Sequence, residues 1–314
     1  IFKKKYICKI IYNYIQQLIK PLFGYIFFHR LLLNFDYLVQ YETILCKKIG
    51  IYYIVYIQYM IPKIIWLWWE QGWNNAPFIC SYTIKSFKKM NPEFKINLVE
   101  RNNINDYIDT KYNWLFNCQG PAFRADIIRL LLLQKYGGVY SDAATFCCIN
   151  ILTFIEDINF NQFWGFDIKS FNKKNDKRTL GSWFYISKPN TYIINNFTNA
   201  FLRNAKQNPI KHNYYLHHNT LTDLIDNNTI FKEWYKNLKK ISVFQNRIHA
   251  KFLSYSSKTI LEEAEWYHPN DIVFLIKNKK FKIIKLRHKN IGSKKELLKD
   301  GTFFRLIIDT YLNI

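Results

Sequence analysis

Glycine and proline are sparse in this chain of 314 residues, at 10 and 8 respectively. No Pro/Gly/Ser-rich linker, internal repeat or heptad run breaks it, so collagen-like and low-complexity architectures are excluded. Hydrophobic residues make up 49% and charged residues 22%, an ordinary globular balance that also excludes a disordered chain. The length allows one large domain or two ordinary ones and is enough to bury a full core. Long apolar runs are lacking too. The best stretch, Ile49 to Pro62, is uncharged but only 14 residues long, and a membrane span needs ~18–20. Pro21 to Leu33 is apolar but interrupted by His29 and Arg30. Neither stretch spans a bilayer; each fits either a membrane-facing surface or the core of an N-terminal helical region. Lys3, Lys4 and Lys5 lead into a segment with no clean apolar core and cleavage site, so no secretory signal is read.

Acidic residues are few: 23 against 45 Lys and Arg, a net charge of +22. That excess suits polyanionic company such as nucleic acid, an anionic membrane surface or a phosphate-bearing substrate. An AT-rich coding bias, with its Lys, Ile, Asn, Tyr and Phe, produces the same skew. Arg is scarce beside Lys, whereas a reader of base edges would use Arg. The six cysteines (Cys8, Cys46, Cys80, Cys118, Cys147 and Cys148) make no C-x-x-C pair and no zinc-finger spacing. Buried free thiols and a reducing compartment are expected.

What is abundant is aromatic: 18% of the chain is Phe, Trp or Tyr. Near residue 60 the pattern changes from helical and aromatic to alternating strands and helices. Ile61 to Trp68 reads as a buried strand, and Pro77 opens a helix with Cys80, Ile84 and Phe87 on one face. Asn91-Pro92 stops it, and Phe94, Ile96 and Leu98 alternate as a strand. A second unit runs from the helix Ala122–Tyr136, stopped by Gly137-Gly138, into Val139-Tyr140-Ser141-Asp142. Strands follow around Phe163–Phe166 and Trp183–Ile186, with a polar loop from Lys169 to Thr179 between them and a helix from Pro189 after them. The alternation predicts an α/β domain over 59–314 with a mainly parallel sheet between helices, behind an N-terminal region 1–58.

Ligands of such sheets bind beyond the carboxyl ends of the strands, where Asp142 falls. A carboxylate there can hold a hard divalent cation that bridges phosphates, or simply cap a turn. Asp126 and Arg129 share a helix face at i, i+3 and need something polar within the fold, because their helix is otherwise apolar on nearly every side. His217-His218 is a tempting metal pair, but neighbours on a helix point apart, so a structural or acceptor-side role is expected.

Two stretches carry a resemblance: Ile61-Pro62-Lys63-Ile64-Ile65-Trp66 with Trp69-Glu70-Gln71-Gly72, and Ala125-Asp126-Ile127-Ile128-Arg129 followed by Tyr136-Gly137-Gly138-Val139-Tyr140-Ser141-Asp142. Together they resemble the capsular polysaccharide synthesis family, over roughly residues 60–290. That family stands with glycosyltransferases carrying an Asp-x-Asp sugar-binding region. The resemblance implies a GT-A (Rossmann-like) fold and retaining transfer of a sugar from a nucleotide-sugar donor, UDP-linked, to a saccharide or lipid-linked acceptor. It implies that Ile65 and Trp66 line the base pocket, that Asp126 and Arg129 bind ribose and sugar, and that Asp142 is the first motif Asp. Tyr140 and Ser141 fall beside it, while Lys285 and His288 would close over the diphosphate. Asp142 and Arg129 are the implied catalytic pair, with Asp142 and His288 holding Mn²⁺ or Mg²⁺. Ala144 stands where the motif's second Asp belongs, which weakens metal binding by two carboxylates. Work at the cytosolic face of a membrane, with Lys-rich residues 1–58 attached peripherally, would follow. Two rival readings are a non-catalytic scaffold that kept the fold and a basic nucleic-acid-binding protein. The second lacks any RNP-like, KH or helix-turn-helix signature, so no nucleic-acid partner is expected.

Overall fold

The computed structural model describes residues 61–117, 120–169, 178–207, 215–242, 269–286 and 293–313. The expected N-terminal region 1–58, most of the Lys169–Thr179 loop, and His288 lie outside the described residues.

The described residues open with the first anticipated β-α-β unit: β1 (Ile64–Trp68), α1 (Phe78–Met90) and β2 (Lys95–Val99). The second comprises α2 (Pro121–Tyr136) and β3 (Gly138–Asp142). Pro121 occupies the first turn of α2, where a missing N–H costs nothing, and Gly137 ends the helix. Then come β4 (Thr145–Cys147), α3 (Ile151–Asp157), β5 (Phe163–Asp167), β6 (Leu180–Ser187), α4 (Tyr192–Gln207), α5 (Leu216–Asn227) and α6 (Thr229–Asn237). The last described elements are α7 (Pro269–Lys277), β7 (Ile283–Lys285), α8 (Lys294–Leu297) and α9 (Phe303–Leu312).

The main sheet has the order β2-β1-β3-β6-β5. β1 pairs in parallel with both β2 and β3, β6 pairs antiparallel with β3, and β5 pairs antiparallel with β6. Four of the five strands therefore point the same way and β6 alone is reversed. Period-two alternation splits β1 between two cores. Trp66 and Trp68 pack with the α2, α4 and α5 layer, while Ile65 and Leu67 face Phe87 of α1 and Phe154 of α3 on the other side. A third core joins α1, α7 and α9 to the two-stranded ribbon β4–β7. Cys80, Cys147 and Cys148 are buried free thiols.

From β1 the chain passes to β2 on one side and then returns to β3 on the other. This reversal of strand order opens a crevice at the carboxyl ends of β1 and β3. The parallel register places Trp68 opposite Asp142 there. The sharp passage from α2 into β3 depends on Gly138, whose φ is 88° and whose missing side chain would otherwise lie 2.4 Å from the Ile64 carbonyl oxygen. Both the left-handed backbone and the contact with β1 forbid a Cβ. Gly138→Ala should destabilise the protein by at least about 2 kcal/mol, read as a lowered midpoint of urea unfolding.

Candidate functional site

At the crevice lies a cleft of about 740 Å³, lined by residues from the ends of β1 and β3, the start of α2, and Lys285 of β7. Its floor is a chain of charges. Arg129 is 4% exposed, and its Nη1 lies 2.5 Å from Asp126 Oδ1 while Nη2 donates to Asp142 Oδ1 at 3.2 Å. The first contact is ionic but not aligned for a hydrogen bond. Lys285 Nζ donates to the other oxygen of Asp142, Oδ2. The guanidinium also sits over the Tyr140 ring, 5.0 Å from its centre. One helix, one strand of the main sheet and the ribbon thus converge on a single array of two carboxylates and two cations.

The reach of Lys285 follows from pairing remote in sequence. Lys285 stands opposite Thr145 in the β4–β7 ribbon, and the Leu286 amide donates to the Ala144 carbonyl at 2.8 Å. The ribbon therefore holds Lys285 against the turn that carries Asp142.

Burial sets the electrostatics. It lifts Asp126 from an ordinary 3.8 to about 6, Arg129 opposing and Asp142 adding to the rise. Burial also works against the charge of Arg129, but Asp126, Tyr140 and Asp142 outweigh it and keep the guanidinium firmly protonated. Burial of Tyr140 likewise raises its pKa.

The two histidines diverge as anticipated. His217 is 1% exposed, its Nε2 2.9 Å from the Tyr185 hydroxyl and its Nδ1 3.9 Å from Asp126 Oδ1. Burial, with Arg129 nearby, lowers its pKa well below the usual value, so it is a neutral support behind Asp126. His218 lines the cleft and donates from Nδ1 to the Leu180 carbonyl at 3.0 Å.

Of the expected donor-binding residues, Asp126, Arg129, Tyr140 and Lys285 line the cleft with Asp142. Ile65 and Trp66 do not. Ile65 is fully buried on the far face of the sheet, and Trp66 donates from Nε1 to the Gly137 carbonyl at 2.9 Å between the rings of Tyr107 and Tyr136. Ile65 and Trp66 lie three and two residues short of the strand end, respectively. Trp68, with Trp69 and Glu70 beyond it, lines the cleft instead. Strand direction and parity, which single out the last residue of β1 as the one reaching the crevice, could have indicated Trp68. Ser141 is fully buried, its hydroxyl donating to the Asp142 backbone carbonyl at 3.2 Å. Ser182 lines the cleft.

A divalent cation needs several oxygen ligands, usually including one or two carboxylates. The described residues do not meet that need. Both Asp142 oxygens face cations, Asp126 is turned to Arg129, and Ala144 at 2% exposure contributes no side-chain oxygen. Among the described residues no three His, Cys, Asp or Glu gather as a metal cluster. His288, the other expected ligand, lies outside them.

Comparison with known proteins adds to this geometry. Residues 53–299 match the profile of the capsular polysaccharide synthesis proteins. The O-glycosyltransferase braB of Annulohypoxylon truncatum is 28% identical over 113 residues, covering 32% of this chain and 26% of that protein. Inositol phosphoceramide mannosyltransferase 3 of Schizosaccharomyces pombe is 30% identical over 119 residues, covering 35% of this chain and 33% of that one. The matched stretches thus span about a third or less of these relatives' length. Among solved structures, the PaToxG glycosyltransferase aligns at a TM-score of 0.36 and 15% identity, over 56% of this chain and 76% of that one.

The raised pKa of Asp126 has a pH signature. Between its unfolded value and about 6 the folded state binds a proton that the unfolded state has released, so stability from this group falls as pH rises. Asp126→Asn removes that dependence. The variant's stability relative to wild type should therefore improve from pH 4 to 6.5, by at most about 3 kcal/mol, measured by denaturant unfolding at each pH.

Proposed function

The chain belongs to the capsular polysaccharide synthesis family, and from that premise we propose that it transfers a sugar from a nucleotide-sugar donor to a hydroxyl of a saccharide or lipid-linked acceptor in making a capsular or surface polysaccharide. The observation that carries this reading is the Asp126–Arg129–Asp142–Lys285 array at the carboxyl ends of β1 and β3. A GT-A arrangement puts the donor in that crevice. The half-buried Trp69, beside Trp68 in the cleft wall, offers a base or sugar aromatic surface, while the carboxylates accept hydrogen bonds from ribose and sugar hydroxyls. The donor in this reading is UDP-linked.

In the transfer, the bond between the sugar's anomeric carbon and the β-phosphate oxygen breaks, and its electron pair stays on that oxygen. The acceptor hydroxyl oxygen bonds to the anomeric carbon from the same face, so configuration is retained. Its proton passes to the leaving diphosphate. Arg129 fixes both carboxylates before the donor arrives, and fixed charge aimed at the developing one is the largest single source of such catalysis. A divalent cation would supply charge at the same place, but the described residues do not complete a site for one.

Screening donor hydrolysis across common nucleotide sugars tests this directly. Asp142→Asn should cut turnover at least ~10²-fold with the protein still folded, and activity within a few-fold of wild type would remove Asp142 from the mechanism. No hydrolysis of any donor, with no nucleotide bound, would return the chain to a non-catalytic scaffold.

Residues 1–58 support a peripheral place on the cytosolic face of a membrane, through Lys3–Lys5, Lys9, Lys20, Lys47 and Lys48. Each Lys near an anionic surface contributes ~1 kcal/mol. The full chain should sediment with anionic vesicles at low salt and be released as salt rises. Among the described residues no helix is long and apolar enough to cross a membrane.

A further inference from the structure

We propose that Lys285 takes the place of the divalent cation at this site, so that the diphosphate of the donor is bound, and its leaving charge neutralised, by a protein ammonium without added metal. The inference rests on the nucleotide-sugar reading above and concerns the same cleft.

Three observations lead to it. The position that should supply a second carboxylate is Ala144, buried and apolar. The one carboxylate that remains at the strand end, Asp142, has Arg129 on one oxygen and Lys285 on the other. A metal ion approaching Asp142 would meet a cation already seated on each of its oxygens. And Lys285 is no passing surface side chain: its side chain is 20% exposed, and its strand is tied by backbone pairing to β4, directly after the turn bearing Asp142. The fold thus brings a positive charge across 143 positions of sequence to the oxygen where a metal would bind.

An ammonium suits the task. It is a compact point charge with three donors, so it can bind a carboxylate and a phosphate oxygen together. As the bond from the anomeric carbon to the β-phosphate oxygen breaks and the pair stays on oxygen, Lys285 stands beside the growing negative charge. Nothing is oxidised or reduced. The acceptor's proton goes to the diphosphate, and Lys285 keeps its own.

The experiment is calorimetric titration of the full chain with UDP, GDP and ADP after dialysis against excess EDTA, repeated with added Mn²⁺. The expected result is that one of them binds in EDTA with an affinity that Mn²⁺ changes less than about threefold. Lys285→Met should weaken that binding about 10- to 100-fold, the worth of a charge-assisted contact, and Lys285→Arg should restore much of it. Lys285→Gln, measured alongside, keeps a polar head and covers the case in which the Met variant does not fold. Binding that appears only with Mn²⁺ overturns the lysine substitution and leaves the transferase reading standing. Unchanged affinity in folded Lys285→Met or Lys285→Gln also overturns it. Binding of none of the three nucleotides under either condition overturns the donor-site reading and this inference with it.

Discussion

A guanidinium buried between two carboxylates governs the shape of this protein's cleft. Arg129 cannot shed its charge, and inside the protein that charge is tolerable only with opposite charge in contact. Its partners come from two directions, Asp126 one turn back on α2 and Asp142 at the end of β3. Satisfying Arg129 therefore locks helix and strand together at the point where the sheet opens. The tight Gly137-Gly138 passage between α2 and β3 is what brings the two partners within reach. Tyr140 lies under the guanidinium, His217 stands behind Asp126, and Lys285 holds the other oxygen of Asp142.

Much of the architecture was legible because it is local. The β-α-β units are written in short apolar strands, a proline opening a helix and a double glycine closing one, and these signals work within a few residues. Strand direction is not local. Phe163–Phe166 and Trp183–Ile186 read as strands, but nothing in their sequence says that the second runs backward between its neighbours. The same limit hides which residue of β1 reaches the cleft. The Ile65-Trp66 pair looked prominent as a motif, yet in a strand only the final residue meets the crevice, and Trp68 holds that place.

The site charges were legible in part. Asp126 and Arg129 at i, i+3 on an apolar helix announced an unmet polar need, and Asp142 announced itself by its position at a strand end. What could not be read was that all three form one array. On a solvated helix an i, i+3 pair contributes only ~0.2–0.5 kcal/mol; here the same spacing is buried and shared with a strand. Lys285 was named from the resemblance as a residue closing over the diphosphate, but its contact with Asp142 was not readable. Its place depends on the β4–β7 pairing, which no nearby residue pattern encodes.

That pairing also has a consequence in time. A ribosome adds roughly 5–20 residues each second. Asp142 precedes Lys285 by 143 residues, so the carboxylate is made well before its ammonium partner exists. Asp126, Arg129 and Asp142 all lie within 17 consecutive residues, and so leave the ribosome almost together. The ribbon cannot form at that stage, for one of its two strands has yet to be synthesised. Completion of the cleft therefore waits for the far end of the message to be translated.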